Sequence, residues 1–113
     1  MKTIIAGSRT INNIQSIHEA VLKAGWPISE VVSGTAQGAD TLGEQWAKSL
    51  HIPVTQFPAD WDTHGRKAGF IRNCEMGDYA DALLAIWDGQ SRGTKHMIDY
   101  ARKKGLQVFV HCV

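Results

Sequence analysis

At 113 residues, with 43% hydrophobic and 20% charged residues, the chain is sized for one compact domain with a real core. Twelve Lys and Arg against eleven Asp and Glu leave a formal charge of +1, which excludes the strong overall field of a polyanion binder and confines any such binding to a local patch. Two cysteines, Cys74 and Cys112, are too few and too far apart for a disulfide framework or a CxxC metal site, and are expected as small, reduced core residues of a cytosolic protein.

Short apolar runs alternate with longer runs of helical period, the pattern of repeated βαβ units. Lys2 to Ala6 reads as the first strand. After Gly7-Ser8-Arg9-Thr10, a helix is expected with Ile14, Ile17, Val21 and Leu22 on one stripe, Asn12 and Gln15 spaced as N-cap and reciprocal partner, and Gly25 followed by Pro27 at its end. Glu30 to Ser33 is a second strand, and Ala39, Leu42, Trp46, Ala47 and Leu50 mark the inward face of a second helix. Pro53 to Phe57 is a third strand, closed by Pro58. The polar, aperiodic segment Ala59 to Gly65 reads as a loop and Arg66 to Tyr79 as a third helix. Ala82 to Trp87, strongly apolar between Asp81 and Asp88, reads as an interior strand. Thr94 to Lys104, with Met97, Ile98 and Ala101 inward and Gly105 after it, is the fourth helix; Gln107 to Cys112 is the last strand.

Strict alternation predicts an α/β fold: one open Rossmann-like three-layer sandwich of five parallel strands and four helices, occupying residues 1–113 as a single domain. With the order 3-2-1-4-5, the strand direction of winding switches between the first and fourth strands, so Gly7-Ser8-Arg9 should face Asp88 to Thr94. No stretch approaches a membrane span or a signal-peptide core, and a soluble, cytoplasmic protein without a membrane partner is expected.

Two glycine-bearing turns each follow an apolar run and open an amphipathic one: Gly34-Thr35-Ala36-Gln37-Gly38-Ala39-Asp40 and Asp88-Gly89-Gln90-Ser91-Arg92-Gly93-Thr94. A helix starting there presents unpaired N–H groups and the positive end of its dipole to an anion. Neither turn is a Walker A motif or a G-x-G-x-x-G, which argues against ATP hydrolysis and ordinary NAD use. Arg9, Arg72 and Arg92 near one rim could fork onto phosphate oxygens, and Ser8, Ser91 and Thr94 add hydroxyls. Asp40 either answers the helix dipole or serves a ribose hydroxyl or catalysis. Trp61, in a polar loop, is a candidate for stacking on a nucleobase, whereas Trp87, Trp26 and Trp46 read as structural. His18, His51, His64, His96 and His111 have no metal-ligand or triad spacing, so no obligatory metal is expected; Asp60, Asp62 and Asp88 could hold a hydrated magnesium ion with a ligand's phosphates.

Four motifs, Ile5-Ala6-Gly7-Ser8-Arg9, Val32 to Asp40, Gly69-Phe70-Ile71-Arg72-Asn73 and Trp87 to Thr94, together resemble the YspA/YpsA-related branch of the SLOG superfamily, a Rossmann-like group that includes DprA and the LOG phosphoribohydrolases. The resemblance implies a nucleotide or nucleotide-derived ligand held by Gly7, Ser8, Arg9, Gly34, Thr35, Ala36, Gly38, Ala39, Asp40, Trp61, Arg72, Asn73, Asp88, Gly89, Ser91, Arg92, Gly93 and Thr94. It implies a sensor or sequestering module, in nucleotide signalling or phage–host conflict, that self-associates as many superfamily members do. The LOG-type alternative is N-glycosidic hydrolysis of a nucleoside 5′-monophosphate, with Arg72, Asp40 and Asp88 as candidate catalytic groups. Arg72-Asn73-Cys74-Glu75-Met76 keeps that family's arginine and methionine but not its lysine, and Met97 stands where its glutamate would. A thioether can neither stabilise an oxocarbenium-like centre by charge nor carry its proton. DprA-like binding of single-stranded DNA is a further alternative; near-zero charge and the absence of a basic run weigh against a nucleic-acid partner, and Lys95, Arg102, Lys103 and Lys104 read as a solvated helix face.

Overall fold

A computed structural model describes residues 1–113. Its strands are β1 (Lys2–Gly7), β2 (Glu30–Ser33), β3 (Val54–Gln56), β4 (Ala82–Trp87) and β5 (Gln107–Cys112), and its helices are α1 (Ile14–Ala24), α2 (Ala39–Ser49), α3 (Trp61–His64), α4 (Ala68–Tyr79) and α5 (Arg92–Lys103). The five strands form one parallel sheet, as the alternation predicts, in the expected order β3-β2-β1-β4-β5.

Alternation along the central strands sends successive side chains to opposite faces and so builds two cores. Ile4, Ala6, Val32, Leu83 and Ala85 meet Met76, Ala80, Met97, Ile98 and Ala101 of the α4/α5 layer. Ile5, Val31, Leu84 and Ile86 meet Ile17, Ala20, Ala39, Trp46 and Ala47 of the α1/α2 layer. Ile4, Ile5, Leu83, Leu84 and Ile86 are wholly buried, each contributing about 1.5–3 kcal/mol by leaving water. No helix is long and apolar enough to cross a membrane.

Local departures from the sequence reading have identifiable causes. The α1 cap is Asn13, not Asn12: its side chain accepts from the Gln15 N–H at 2.9 Å. Leu22 is 81% exposed rather than inward, because it lies 100° beyond Val21 around the helix, and Ala20 fills the core instead. Leu50, just past the end of α2, is exposed as well. The segment expected to be a loop contains α3, one turn capped by Asp60 through the Thr63 N–H, then a 3₁₀ turn over Gly65–Lys67 leading into α4. That turn buries no residue, so no apolar period announces it. Cys74 is half-buried and Cys112, at the end of an edge strand, is exposed; both thiols are free, so Cys112 is not a core residue.

At the C-terminal rim, β1 and β4 approach as closely as a glycine allows. A Cβ on Gly7 would run into the Ile86 carbonyl and come within 2.8 Å of the Ala39 Cβ. The Ser8 N–H donates to Ile86 (3.0 Å), its carbonyl accepts from Ala39 N–H (3.3 Å), and its hydroxyl accepts from Asp88 N–H (3.1 Å). One buried serine thus ties the first strand's loop to the start of α2 and to the loop after β4.

Candidate functional site

The rim at this switch point opens into a cavity of about 200 Å³, lined among others by Ala6, Gly7 and Arg9 from the first loop, Ala36 and Asp40 from the second, and Ser91, Gly93 and Thr94 from the start of α5. A neighbouring groove of about 340 Å³ is lined by Gly34, Thr35, Gln37, Pro58 and Ala59, and shares Arg9, Ala36, Trp61 and Arg72 with the cavity. Small-molecule sites run to roughly 300–1,000 Å³. The two glycine-bearing turns therefore converge on one concavity with two lobes.

The first turn owes its shape to two unusual residues. Gly38 has φ of 78°, and a Cβ there would come within 2.6 Å of the Arg9 carbonyl oxygen, so only glycine lets the turn dock on the first loop. Thr35 has φ of 65°, rare for a β-branched residue, and its N–H is held by the Ser33 hydroxyl at 3.1 Å. Between them the Ala36 N–H donates to Asp40 Oδ2 at 3.1 Å.

Asp40 is the buried charge of the site, 5% exposed. Burial pushes its carboxyl up to about 6, against the pull of the Ala36 N–H and of the Arg72 guanidinium. Burial likewise lowers the Arg72 pKa, with Asp40 opposing. Arg72 projects from α4 and is fixed at two points: Nη1 donates to the Gly34 carbonyl and Nε to Asn73 Oδ1 at 3.1 Å. Asn73 continues the link to α5, its Nδ2 donating to the Gly93 carbonyl (3.1 Å) and contacting His96 Nδ1 (3.2 Å). Because the amide nitrogen can only donate, His96 Nδ1 must accept, which places the imidazole proton on Nε2. Burial lowers the His96 pKa, which favours this neutral form. Arg72 and Asn73 thus hold the two turns at a fixed distance, a linkage that sequence spacing alone does not reveal.

The N-termini of α2 and α5 face this space. Ser91 caps α5, accepting from the Thr94 N–H (3.4 Å), while the N–H groups of Arg92 and Gly93 find no acceptor within the chain. At α2, Ala39 N–H is bound to Ser8 and Leu42 N–H to Gly38, and the N–H groups of Asp40 and Thr41 are left without one. Arg9 is exposed and makes no hydrogen bond within the chain, so its guanidinium is free to turn toward an anion.

Several residues singled out from sequence lie outside the lining. Asp88 is exposed, and its Oδ1 accepts from Gln90 and Ser91 N–H at 2.8 and 2.9 Å. These bonds hold its pKa below the usual carboxylate range, which suits a turn-closing group and not a proton donor. Gly89 and Arg92 are exposed and do not line the cavity, so the third guanidinium at the rim is Arg66 rather than Arg92. Ser8 and Ala39 are buried and act within the fold, Ser8 through its backbone and its hydroxyl bond to the Asp88 N–H and Ala39 through backbone and packing. Asp60, Asp62 and Asp88 do not gather into one cluster; no three acidic, cysteine or histidine residues lie close enough to hold a metal. Trp61 is 53% exposed and borders both lobes, whereas Trp87 is half-buried, its Nε1 donating to the Ser91 carbonyl at 3.1 Å. Arg66, Phe70, Met76 and Met97 line the cavity without having been read as site residues. Met76 and Met97, each 1% exposed, form an apolar floor with Ala6.

A model of the YspA, cpYpsA-related SLOG family matches residues 1–64. The gene 61 protein of Mycobacterium phage D29 is 40% identical over 84 residues, which are 69% of this chain and 67% of that protein. Among solved structures, DNA processing protein A (DprA) from Streptococcus pneumoniae is similar with a TM-score of 0.73 at 18% identity, covering 96% of this chain and 49% of that one. This chain thus spans about half the length of that structure, and the likeness is one of fold.

Proposed function

Because the chain belongs to the YspA, cpYpsA-related SLOG family, we propose that its rim cavity binds the ribose-phosphate part of a nucleotide or nucleotide-derived molecule, as a sensor or sequestering module. The observation that carries this is the convergence, in one cavity, of unpaired N–H groups at the start of α5, the free guanidinium of Arg9, the buried carboxyl of Asp40 and the half-buried guanidinium of Arg72. In this reading the phosphate sits against the Arg92 and Gly93 N–H groups and Arg9, where dipole and charge act together. The Asp40 carboxylate, already sharing one oxygen with Ala36, accepts from ribose hydroxyls.

Binding is favoured over turnover by the floor. The position that would need a carboxylate for N-glycosidic cleavage is Met97, whose buried thioether is neither acid nor base, which leaves Asp40, engaged with the Ala36 N–H, as the one carboxyl lining the cavity. A resident metal is no part of the proposal; a hydrated magnesium ion would enter with the ligand's phosphates. Isothermal titration with AMP, ADP-ribose and a cyclic nucleotide tests the reading. Saturable one-site binding of at least one of them, lost in Arg9→Ala, is expected; heat traces at the dilution baseline for all three would refute it.

A further inference from the structure

Resting on the reading just given, we infer that the site takes a ligand carrying an aromatic base, which stacks on Trp61 at the mouth of the cavity with Phe70 completing the wall. Trp61 and Phe70 are 53% and 46% exposed, among the few large apolar side chains left in water, and both line the same cavity as the phosphate-suited groups. Gly69 lies between the wall and Arg72: a Cβ there would sit 3.6 Å from Trp61 Cη2 and 3.8 Å from Arg72 Nη2. Any larger side chain at that position would occupy the space beside the indole.

Phe70 is not a loose surface ring. It rests on His96 with ring centroids 4.4 Å apart, His96 lies 6.4 Å from the ring of Tyr100, and the Tyr100 hydroxyl donates to Asp78 at 2.6 Å. His96 is further fixed through Asn73. A row of rings anchored between α4 and α5 therefore backs the wall, so little side-chain freedom is lost when a flat group packs on it. Trp61 is supplied by α3, the single turn that buries nothing, and it borders both lobes. Arg66, two residues past α3, adds donors at the same wall, matched to the nitrogen and oxygen acceptors on a base edge. A sugar phosphate without a base would leave this aromatic surface wet.

Titration of the full chain with AMP and with ribose 5-phosphate separates the base from the rest. AMP is expected to bind roughly 5- to 150-fold more tightly, the range of one base stacked on an aromatic side chain. Trp61→Ala should lose that advantage while keeping ribose 5-phosphate affinity within about twofold, and Trp61→Phe should retain most of it. Quenching of tryptophan fluorescence by AMP should be present in the wild type and absent in Trp61→Phe. Equal affinities for the two probes, or a Trp61→Ala variant that weakens both alike, would overturn the base assignment and leave the phosphate site standing. Failure of both probes to bind would overturn the cavity reading and this inference with it.

Discussion

Replacing Asp40 by Asn tests the electrostatics of the site directly. Asp40 ordinarily has a pKa of 3.8, and burial raises it to about 6 in the folded chain. Between these values the native state holds a proton that the unfolded chain releases, so stability falls as pH rises from about 4 to about 6 and levels off above. The displacement corresponds to about 3 kcal/mol charged against the fold at pH 7. Asn keeps an oxygen for the Ala36 N–H and removes the charge. Urea denaturation at a series of pH values is the assay, read as the difference between variant and wild type so that the exposed carboxylates cancel. The variant should gain on the wild type as pH rises, by about 2 kcal/mol between pH 4 and 7. The same linkage acts on ligand binding. A ribose hydroxyl donating to the ionised carboxylate lowers its pKa, so at pH 6 ADP-ribose, whose own phosphates do not titrate there, should displace about half a proton, measurable by calorimetry in buffers of different ionisation heat. A pH-independent difference between the two proteins, or proton uptake on binding, would refute the reasoning.

Other expectations follow from the rim. Gly7→Ala drives a methyl into the Ile86 carbonyl and to 2.8 Å from the Ala39 Cβ, both held by backbone, and should cost about 3 kcal/mol or more in thermal or urea denaturation. Thr35→Gly relieves a β-branched residue at φ 65° and should stabilise by about 0.5–1 kcal/mol, raising Tm by a few degrees; a lower Tm would show that the Thr35 side chain contributes more than its backbone costs. Incubation of AMP at high protein concentration should release no adenine by chromatography, since Met97 occupies the position of the acid; steady release would restore the hydrolase reading.

Most of the fold was legible because its signals are local. β2, β4 and β5 have the expected bounds, and β4 is readable from six apolar residues between two aspartates. The parallel sheet followed from alternation, and the order expected for it, 3-2-1-4-5, is the one observed, with the Ser8 and Asp88 loops meeting as that order requires. What was not legible depends on three-dimensional neighbours. Arg92 and Arg66 look alike in sequence, but the first is exposed at the start of α5 and offers the cavity its backbone rather than its side chain, while the 3₁₀ turn before α4 brings the second to the cavity wall. Asp88 reads as a free carboxylate until two N–H groups are seen to close on it. The role of Asn73 depends on contacts with α5 about 20 residues away along the chain, which no periodicity encodes.

The claim on which the account depends is that the turns at 34–40 and 88–94 form one site. An amide-resolved NMR titration of the ¹⁵N-labelled chain with AMP measures this most directly. The account predicts shifts that saturate together with one Kd at Ala36, Asp40 and Thr41 on one side and at Arg92, Gly93 and Thr94 on the other. Shifts confined to one of the two turns, or saturating with two different constants, would contradict it.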